Sequence, residues 1–280
     1  MKGFFSKSPK RPDFLIVGTM KGGTTMLYHF ITLHPDVERA KSKEIHYFTL
    51  HYAKGDEWYL DHFPSHPNKL AGEASPTYFH CAETPTIPAA IKRMNDRMKI
   101  ILIVRDPVER AVSHYTQFCK VGKFPEVTPL DVNEFFSIPF SEIITRSTAL
   151  GFRAQQAVSF SLYFRNYRSY EAVFEQNDIL VIENRSLRDS PFETMKEVHN
   201  FLGLRYVKNN RFEQIGYSHG TDLTKLDSST YTRLAELFYP DYKKFCARTG
   251  LKYSELDFSA IHSTSNNQVD LRPEDTQEQR

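Results

Sequence analysis

The stretch that most constrains the fold is DFLIVGTMKGGTTMLYHF, residues 13–30. Its apolar run, FLIVG, ends on Gly18 and reads as a strand buried on both faces, the habit of parallel sheets. A glycine-paired turn follows, and GTTMLYHFITLHP then reads as a helix stopped at Pro35. Gly18, four residues and Gly23 give the G-x-x-x-x-G spacing of a phosphate-cradling loop. Backbone N–H groups at a helix start favour an anion, and Gly22 and Gly23 let the backbone come close to it. Thr24 and Thr25 add hydroxyl donors, and Lys21 adds a mobile charge. An ATP or GTP loop carries its lysine after the second glycine, beside a hydroxyl that binds magnesium. Here Lys21 stands before Gly23. The loop suits an anion but lacks the magnesium-nucleotide arrangement. A plain turn with a solvated lysine and a kinase-like phosphotransferase are the alternatives at this point.

The rest of the chain repeats the alternation. KIILIV (99–104) is the strongest strand, DILVIEN (178–184) another, and KLAGEASP (69–76) a weaker one. Helical stretches lie between them: TPTIPAAIKRMN, then VERAVSHYTQFCK, entered through an Asp106 cap and Pro107 at the first helical position. FRAQQAVSFSLYFRNYRSYEAVF reads as one aromatic-rich helix, SPFETMKEVHNFLGL as a capped amphipathic one, and SSTYTRLAELFYPDYKKFCARTG as a last helix pair stopped by Gly250. Residues 120–150 lose periodicity and read as an excursion, partly helical around DVNEFFS. The expected fold is α/β: a single P-loop-like domain with a mainly parallel central sheet and helices on both faces. It spans 12–258, after a flexible N-terminus (1–11) and before a disordered polar tail (259–280). Ligands on such sheets bind at the carboxyl ends of strands. Three features sit there: the loop after Gly18, the segment after Glu73, and RDP after Val104.

A net charge of +2 gives no polycationic footprint, and no recognition motif appears, so a nucleic-acid partner is not expected. The cysteines, Cys81, Cys119 and Cys246, are odd in number and widely spaced, which argues against a disulfide framework or a zinc site. No apolar run approaches the roughly 20 residues that span a bilayer. MKGFFSKSPKRP is too short and too broken by proline for a signal-peptide core. These features together read as a cytoplasmic chain.

RDPVERAVSHY carries a second anion site. Arg105 ends a strand. Ser113 lies seven residues after Asp106, close to two helical turns, so both share a face about 10 Å apart along the axis. Arg105 and Ser113 reach one phosphate if it lies beside the helix. An ordinary helix start with a surface serine is the alternative. Two anion sites on separate strands suit a nucleotide with two separated phosphate groups.

With GTMKGGTT after one strand and RDPVERAVSHY after a later one, the chain resembles the sulfotransferases that use 3′-phosphoadenosine-5′-phosphosulfate. The resemblance is nearest to the heparan sulfate N- and 3-O-sulfotransferase type and covers roughly residues 12–250. HPDVERAKSKEIHYF, GEASPTYF, SFSLYFRNYRSYEAVF and ILVIENRSLRDSPFETMKEVHNFLGL support it. It implies that Lys21, Gly22, Gly23, Thr24 and Thr25 bind the 5′-phosphosulfate, with Lys21 stabilising charge on the bridging oxygen. It implies that Arg105 and Ser113 bind the 3′-phosphate, with Ser161, Tyr163 and Gly220 also near the cofactor. It implies that Glu44, in KEIHYF, is the base and His46 a second catalytic residue, with no metal. The acceptor is expected to be a glycan, or else a small alcohol, phenol or lipid. Ala74 stands where those enzymes carry a lysine, and His219, Gly220 and Thr221 where they carry Lys-Gly-Arg; their cysteine pair is absent. On residue type alone, Glu44 is a surface carboxylate paired with Lys41 or Lys43, and His46 a packed histidine or the base itself. Arg39, Lys41, Lys43 and Lys54 are expected to line a basic cleft for the acceptor, among aromatics suited to sugar stacking.

Overall fold

In a computed structural model, residues 11–64, 68–81, 86–146, 148–214 and 221–256 are described. The expected terminal segments, apart from Arg11, and Gly220 lie outside them.

The chain begins with β1 (Phe14–Gly18), α1 (Thr24–Ile31) and a three-residue β2 (Val37–Arg39). A π-helical turn, Tyr47–His51, leads to α2 (Asp56–Leu60) and β3 (Leu70–Glu73). A short 3₁₀ helix, Pro76–Phe79, precedes α3 (Thr86–Met94), β4 (Lys99–Val104) and α4 (Pro107–Val121). Next come α5 (Val132–Phe136), α6 (Phe140–Thr145), α7 (Ala149–Ser159) and α8 (Tyr163–Glu171). The chain continues through β5 (Ile179–Glu183), α9 (Asn184–Asp189), α10 (Pro191–Phe201), α11 (Arg211–Gln214) and α12 (Ser228–Thr249).

The sheet has five strands in the order β2-β3-β1-β4-β5. Every pairing is parallel, with Leu15 opposite Glu73 and Ile100, and Val104 opposite Glu183. Side chains alternate across it. Phe14, Ile16, Ile101 and Ile103 join one core with Leu27 and Phe30 of α1 and Met195 and Val198 of α10. Leu15, Val17, Ile100, Leu102 and Val104 join a second core with α3, α4, α8 and α12. Two buried faces explain the uninterrupted apolar runs of β1 and β4. Because β1 lies between β3 and β4, the order reverses around it and opens a crevice at its carboxyl end. The β1–α1 loop sits there.

Two helix expectations are corrected. The aromatic-rich stretch is two helices, because the Asp241 carboxylate accepts hydrogen bonds from the Phe164 and Arg165 amides and caps a fresh start at α8. The last helix pair is one 22-residue helix with Pro240 inside it. Proline removes one backbone hydrogen bond. Tyr239, bonded to Asp106, and Tyr242, bonded to Glu183, tie both sides of Pro240 to the sheet end and keep α12 continuous. Among the described residues no helix is long and apolar enough to cross a membrane.

Candidate active site

The β1–α1 loop is fixed by its neighbours. The Thr19 amide and hydroxyl both donate to the Ile103 carbonyl of β4, at 2.7 and 3.2 Å. A methyl on Gly22 would stand 2.4 Å from that same oxygen. Gly23 has φ 107°, and a methyl there would stand 2.4 Å from Asn184 Nδ2. Asn184, at the end of β5, donates from that nitrogen to the Gly22 carbonyl at 2.9 Å. Glycine is needed at both positions, at Gly22 for space and at Gly23 for the left-handed conformation as well. Helix α1 starts at Thr24, so the first amides of the turn have no intrahelical acceptor. Thr24 is buried and Thr25 exposed. Lys21 is half-buried, in a left-handed conformation at φ 68°, without an ion-pair partner among the described residues. Burial holds its pKa below the ordinary lysine value, and the charges of Arg105, Lys120 and Arg110 push the same way.

Arg105 follows β4 and pairs through Nε with Glu109, one helical turn on. Asp106 caps α4 by accepting from the Val108 and Glu109 amides at 2.8 and 3.0 Å, as expected of that motif. Ser113 is partly exposed on the same helix. Thr221 reaches the start of α4, donating its hydroxyl to the Glu109 carbonyl at 3.3 Å.

Ser161 and Tyr163 pack against the β4–α4 junction. Both are fully buried. The Ser161 hydroxyl donates to the Pro107 carbonyl and accepts from Arg110 Nε at 2.7 Å. The Tyr163 hydroxyl donates to the Arg105 carbonyl at 2.9 Å. They hold the β4–α4 junction from behind. Arg110, one turn into α4, completes this arrangement. It is fully buried, bonds Ser161 and the Ala157 carbonyl, and reaches the Met20 carbonyl of the β1–α1 loop at 3.5 Å. Burial lowers its pKa to about 10, so it remains a cation behind that loop.

On the other side of β1, the segment after β2 docks on the end of β3: the Ala74 amide donates to the Lys43 carbonyl at 2.9 Å. Glu44 is exposed, with one oxygen on Lys43 and the other 3.3 Å from His46 Nε2. The His46 bond, opposed by desolvation and helped by Lys43, holds its pKa down at about 2. A carboxylate facing Nε2 puts the ring proton on that nitrogen, and the Thr77 hydroxyl, 3.0 Å from Nδ1, donates to the other. His46 has φ 53°, its amide donates to Ser75 Oγ at 2.8 Å, and the π-helical turn begins directly after it. Such turns recur at functional sites. Glu73, a buried carboxylate that motif reading passed over, lies beneath this segment.

Two of the four cations expected to line a basic cleft are paired with carboxylates, and the other two lie against neutral rings. Arg39 bonds His29, Lys41 bonds Asp61, Lys43 bonds Glu44, and Lys54 lies 4.3 Å from the Trp58 ring centre. Ala74 is buried, so no cation stands there. Leu50 and Tyr52, just after His46, are 69% and 49% exposed. A cavity of about 190 Å³ at the ends of β4 and β5 is lined by Arg105, Glu109, Glu183, Asn184, Arg185 and Arg188, among others. It shares Arg105 with the site but does not include Lys21 or Glu44. The three cysteines are unpaired.

A family model described as "Sulfotransferase domain" matches residues 11–233. Human heparan sulfate glucosamine 3-O-sulfotransferase 3B1 is 30% identical over 274 residues, covering 89% of this chain and 67% of that protein. Its mouse counterpart is 34% identical over 210 residues, 74% of this chain and 50% of the other. The chain therefore spans half to two thirds of the length of these relatives. A sulfotransferase from Alicyclobacillus acidocaldarius has the same fold, with a TM-score of 0.68 at 21% identity, covering 90% of this chain and 99% of that one.

Proposed function

This chain belongs to the sulfotransferase family, and we propose that it moves a sulfuryl group from 3′-phosphoadenosine-5′-phosphosulfate to a hydroxyl or amine of a heparan sulfate-like glycan, with Glu44 as base. The observation that carries this reading is a division of charge across β1. Cations gather around the β1–α1 loop and the end of β4, and an ionised carboxylate stands on the β3 side. The residues fit an extended nucleotide with two anionic ends. Lys21, Gly22, Gly23, Thr24 and Thr25 would hold the 5′ end, and Arg105 and Ser113 the 3′-phosphate. When bound, that donor supplies the sulfuryl group.

Sulfuryl transfer resembles phosphoryl transfer, where positioning and charge stabilisation dominate. Lys21 would place a desolvated positive charge where negative charge develops, and the free amides would add fixed donors. Glu44 takes the proton from the acceptor. With a pKa of about 2 it is a weak base at rest. An acceptor hydroxyl that displaces Lys43 removes one of the contacts holding that value down. His46 keeps the second oxygen oriented. General-base help of this kind is worth about 10²–10⁴-fold.

The test is transfer of labelled sulfate to heparan sulfate and its desulfated forms. Transfer is expected, and Glu44→Gln should abolish it while calorimetry shows unchanged binding of 3′,5′-bisphosphoadenosine. Full activity in that variant removes Glu44 from the mechanism. One observation favours a second acceptor class, a small alcohol, phenol or lipid: Leu50 and Tyr52 expose apolar surface beside His46, while the nearby basic residues already have partners. Sulfation of such acceptors without glycan sulfation would establish that reading. The kinase-like alternative falls with the family assignment.

A further inference from the structure

Glu73 ends β3 and is fully buried. Ser75 Oγ and Tyr78 OH each donate to it at 2.6 Å, Tyr59 OH at 3.3 Å and the Ile45 amide at 3.4 Å. No lysine or arginine bonds it among the described residues. All four partners are donors. An ionised carboxylate accepts every one of them, whereas an amide would turn its own N–H donors onto a hydroxyl. Burial pushes its pKa up to about 6, so it is ionised at neutral pH. A buried carboxylate without a cation is costly. An apolar side chain would fill the space more cheaply if filling it were the whole role.

The neighbouring backbone explains what the carboxylate does there. His46 sits at φ 53°, a conformation that non-glycine residues keep only where their surroundings enforce it. The enforcing bond is its amide to Ser75 Oγ at 2.8 Å. Ser75 has one hydroxyl proton. Because that proton goes to Glu73, the oxygen lone pairs are free to receive the His46 N–H. Ile45, the residue between Glu44 and His46, is tied by its own amide to the same Glu73 oxygen.

We propose that Glu73 is a positioning residue for the Glu44–His46 pair, acting through the Ser75 hydroxyl and the Ile45 amide to hold the segment that aims Nε2 at Glu44. This rests on the reading of Glu44 as the base. The chain of contact runs Glu73, Ser75, His46, Glu44, and among the described residues none of its hydrogen bonds goes to the β1–α1 loop. Loss of Glu73 should therefore slow turnover without weakening donor binding.

The experiment compares Glu73→Gln, Ser75→Ala, the double variant and Glu44→Gln. It measures kcat, KM and the calorimetric affinity for 3′,5′-bisphosphoadenosine. Each single change is expected to lower kcat roughly tenfold to a hundredfold, the usual cost of removing a partner that orients a reacting group. Nucleotide affinity should stay unchanged, and the double variant should be no slower than the worse single one. Losses that multiply, or that appear as weaker nucleotide binding at unchanged kcat, overturn the proposal. Should Glu73→Gln fail to fold, Ser75→Ala tests the same chain, because it removes the acceptor of the His46 amide and leaves Glu73 in place. If Glu44→Gln is active, the base assignment fails. If Glu44→Gln is inactive while Glu73→Gln and Ser75→Ala turn over normally, only the positioning role fails.

Discussion

Lys21 is a cation set among cations. Burial disfavours its charge, and Arg105, Lys120 and Arg110 disfavour it further. An anion of two or more charges relieves all four at once. Lys21→Ala should therefore lower both nucleotide affinity and turnover. A hydrogen bond to a charged group is worth about 1.5–3 kcal/mol, so affinity should fall roughly tenfold to a hundredfold by calorimetry. Unchanged affinity would mean that the loop holds something else. Lys21 and Arg105 stand out as candidates in the sequence because each sits inside a short motif whose spacing has a physical reason, whereas Glu44 is singled out only through the family resemblance. Arg110, Glu73 and Asn184 do not stand out. Arg110 and Asn184 take their roles from distant partners, Ser161 and Met20 for Arg110 and Gly22 for Asn184, and Glu73 takes part of its role from Ile45, 28 positions away. Ser161 and Tyr163 come from the family resemblance, and their hydroxyls bond the backbone of the β4–α4 junction, at Pro107 and Arg105.

At the scale of elements, the β1–α1 loop is a three-way joint. Thr19 ties it to β4, Asn184 to β5, and Arg110 braces it from α4. Gly23→Ala strains this joint twice, through a left-handed backbone and through contact with Asn184. The backbone alone costs about 1–2 kcal/mol. The melting temperature should drop, and nucleotide affinity should drop with it, because the same turn presents the free amides. Calorimetry together with thermal denaturation checks both. A variant that melts lower but binds normally would show that the loop recovers its shape around the ligand. Strands β1, β4 and β5 could be read from their apolar runs, and the cap at Asp106 from its Asp-Pro signal. The three-residue β2 could not, since it is too short to show a period. The break between α7 and α8 depends on Asp241, which arrives from α12, so no local pattern announces it.

For the molecule as a whole, the front of the sheet end is cationic while carboxylates lie buried behind it, and this gives the fold a particular response to pH. Burial raises Asp106 to about 7 and Glu73 to about 6. Glu44 is displaced the other way, to about 2. A carboxylate whose pKa is higher in the folded state makes folding take up a proton. Its stabilising contribution is complete below the unfolded value and is lost as pH rises through the folded value. For Glu73 that window runs from 4.5 to about 6, and for Asp106 from 3.8 to about 7. Glu44 contributes above 4.5 and loses that contribution as pH falls towards 2, so its window lies below that of Glu73 and meets that of Asp106 only between 3.8 and 4.5. Urea denaturation of the wild type should therefore show stability declining between pH 4.5 and 6 from these two sites. Glu73→Gln removes one of them and should flatten the decline by about 2 kcal/mol across that window. The comparison uses the slope against pH, so a uniform loss from the substitution does not disturb it. An unchanged slope would mean that Glu73 titrates in the folded protein as it does in the unfolded chain, and that burial is offset in full by Ser75, Tyr78, Tyr59 and the Ile45 amide. The cost of keeping Glu73 ionised at neutral pH is then the cost of an oriented Ser75, and through it of a fixed His46.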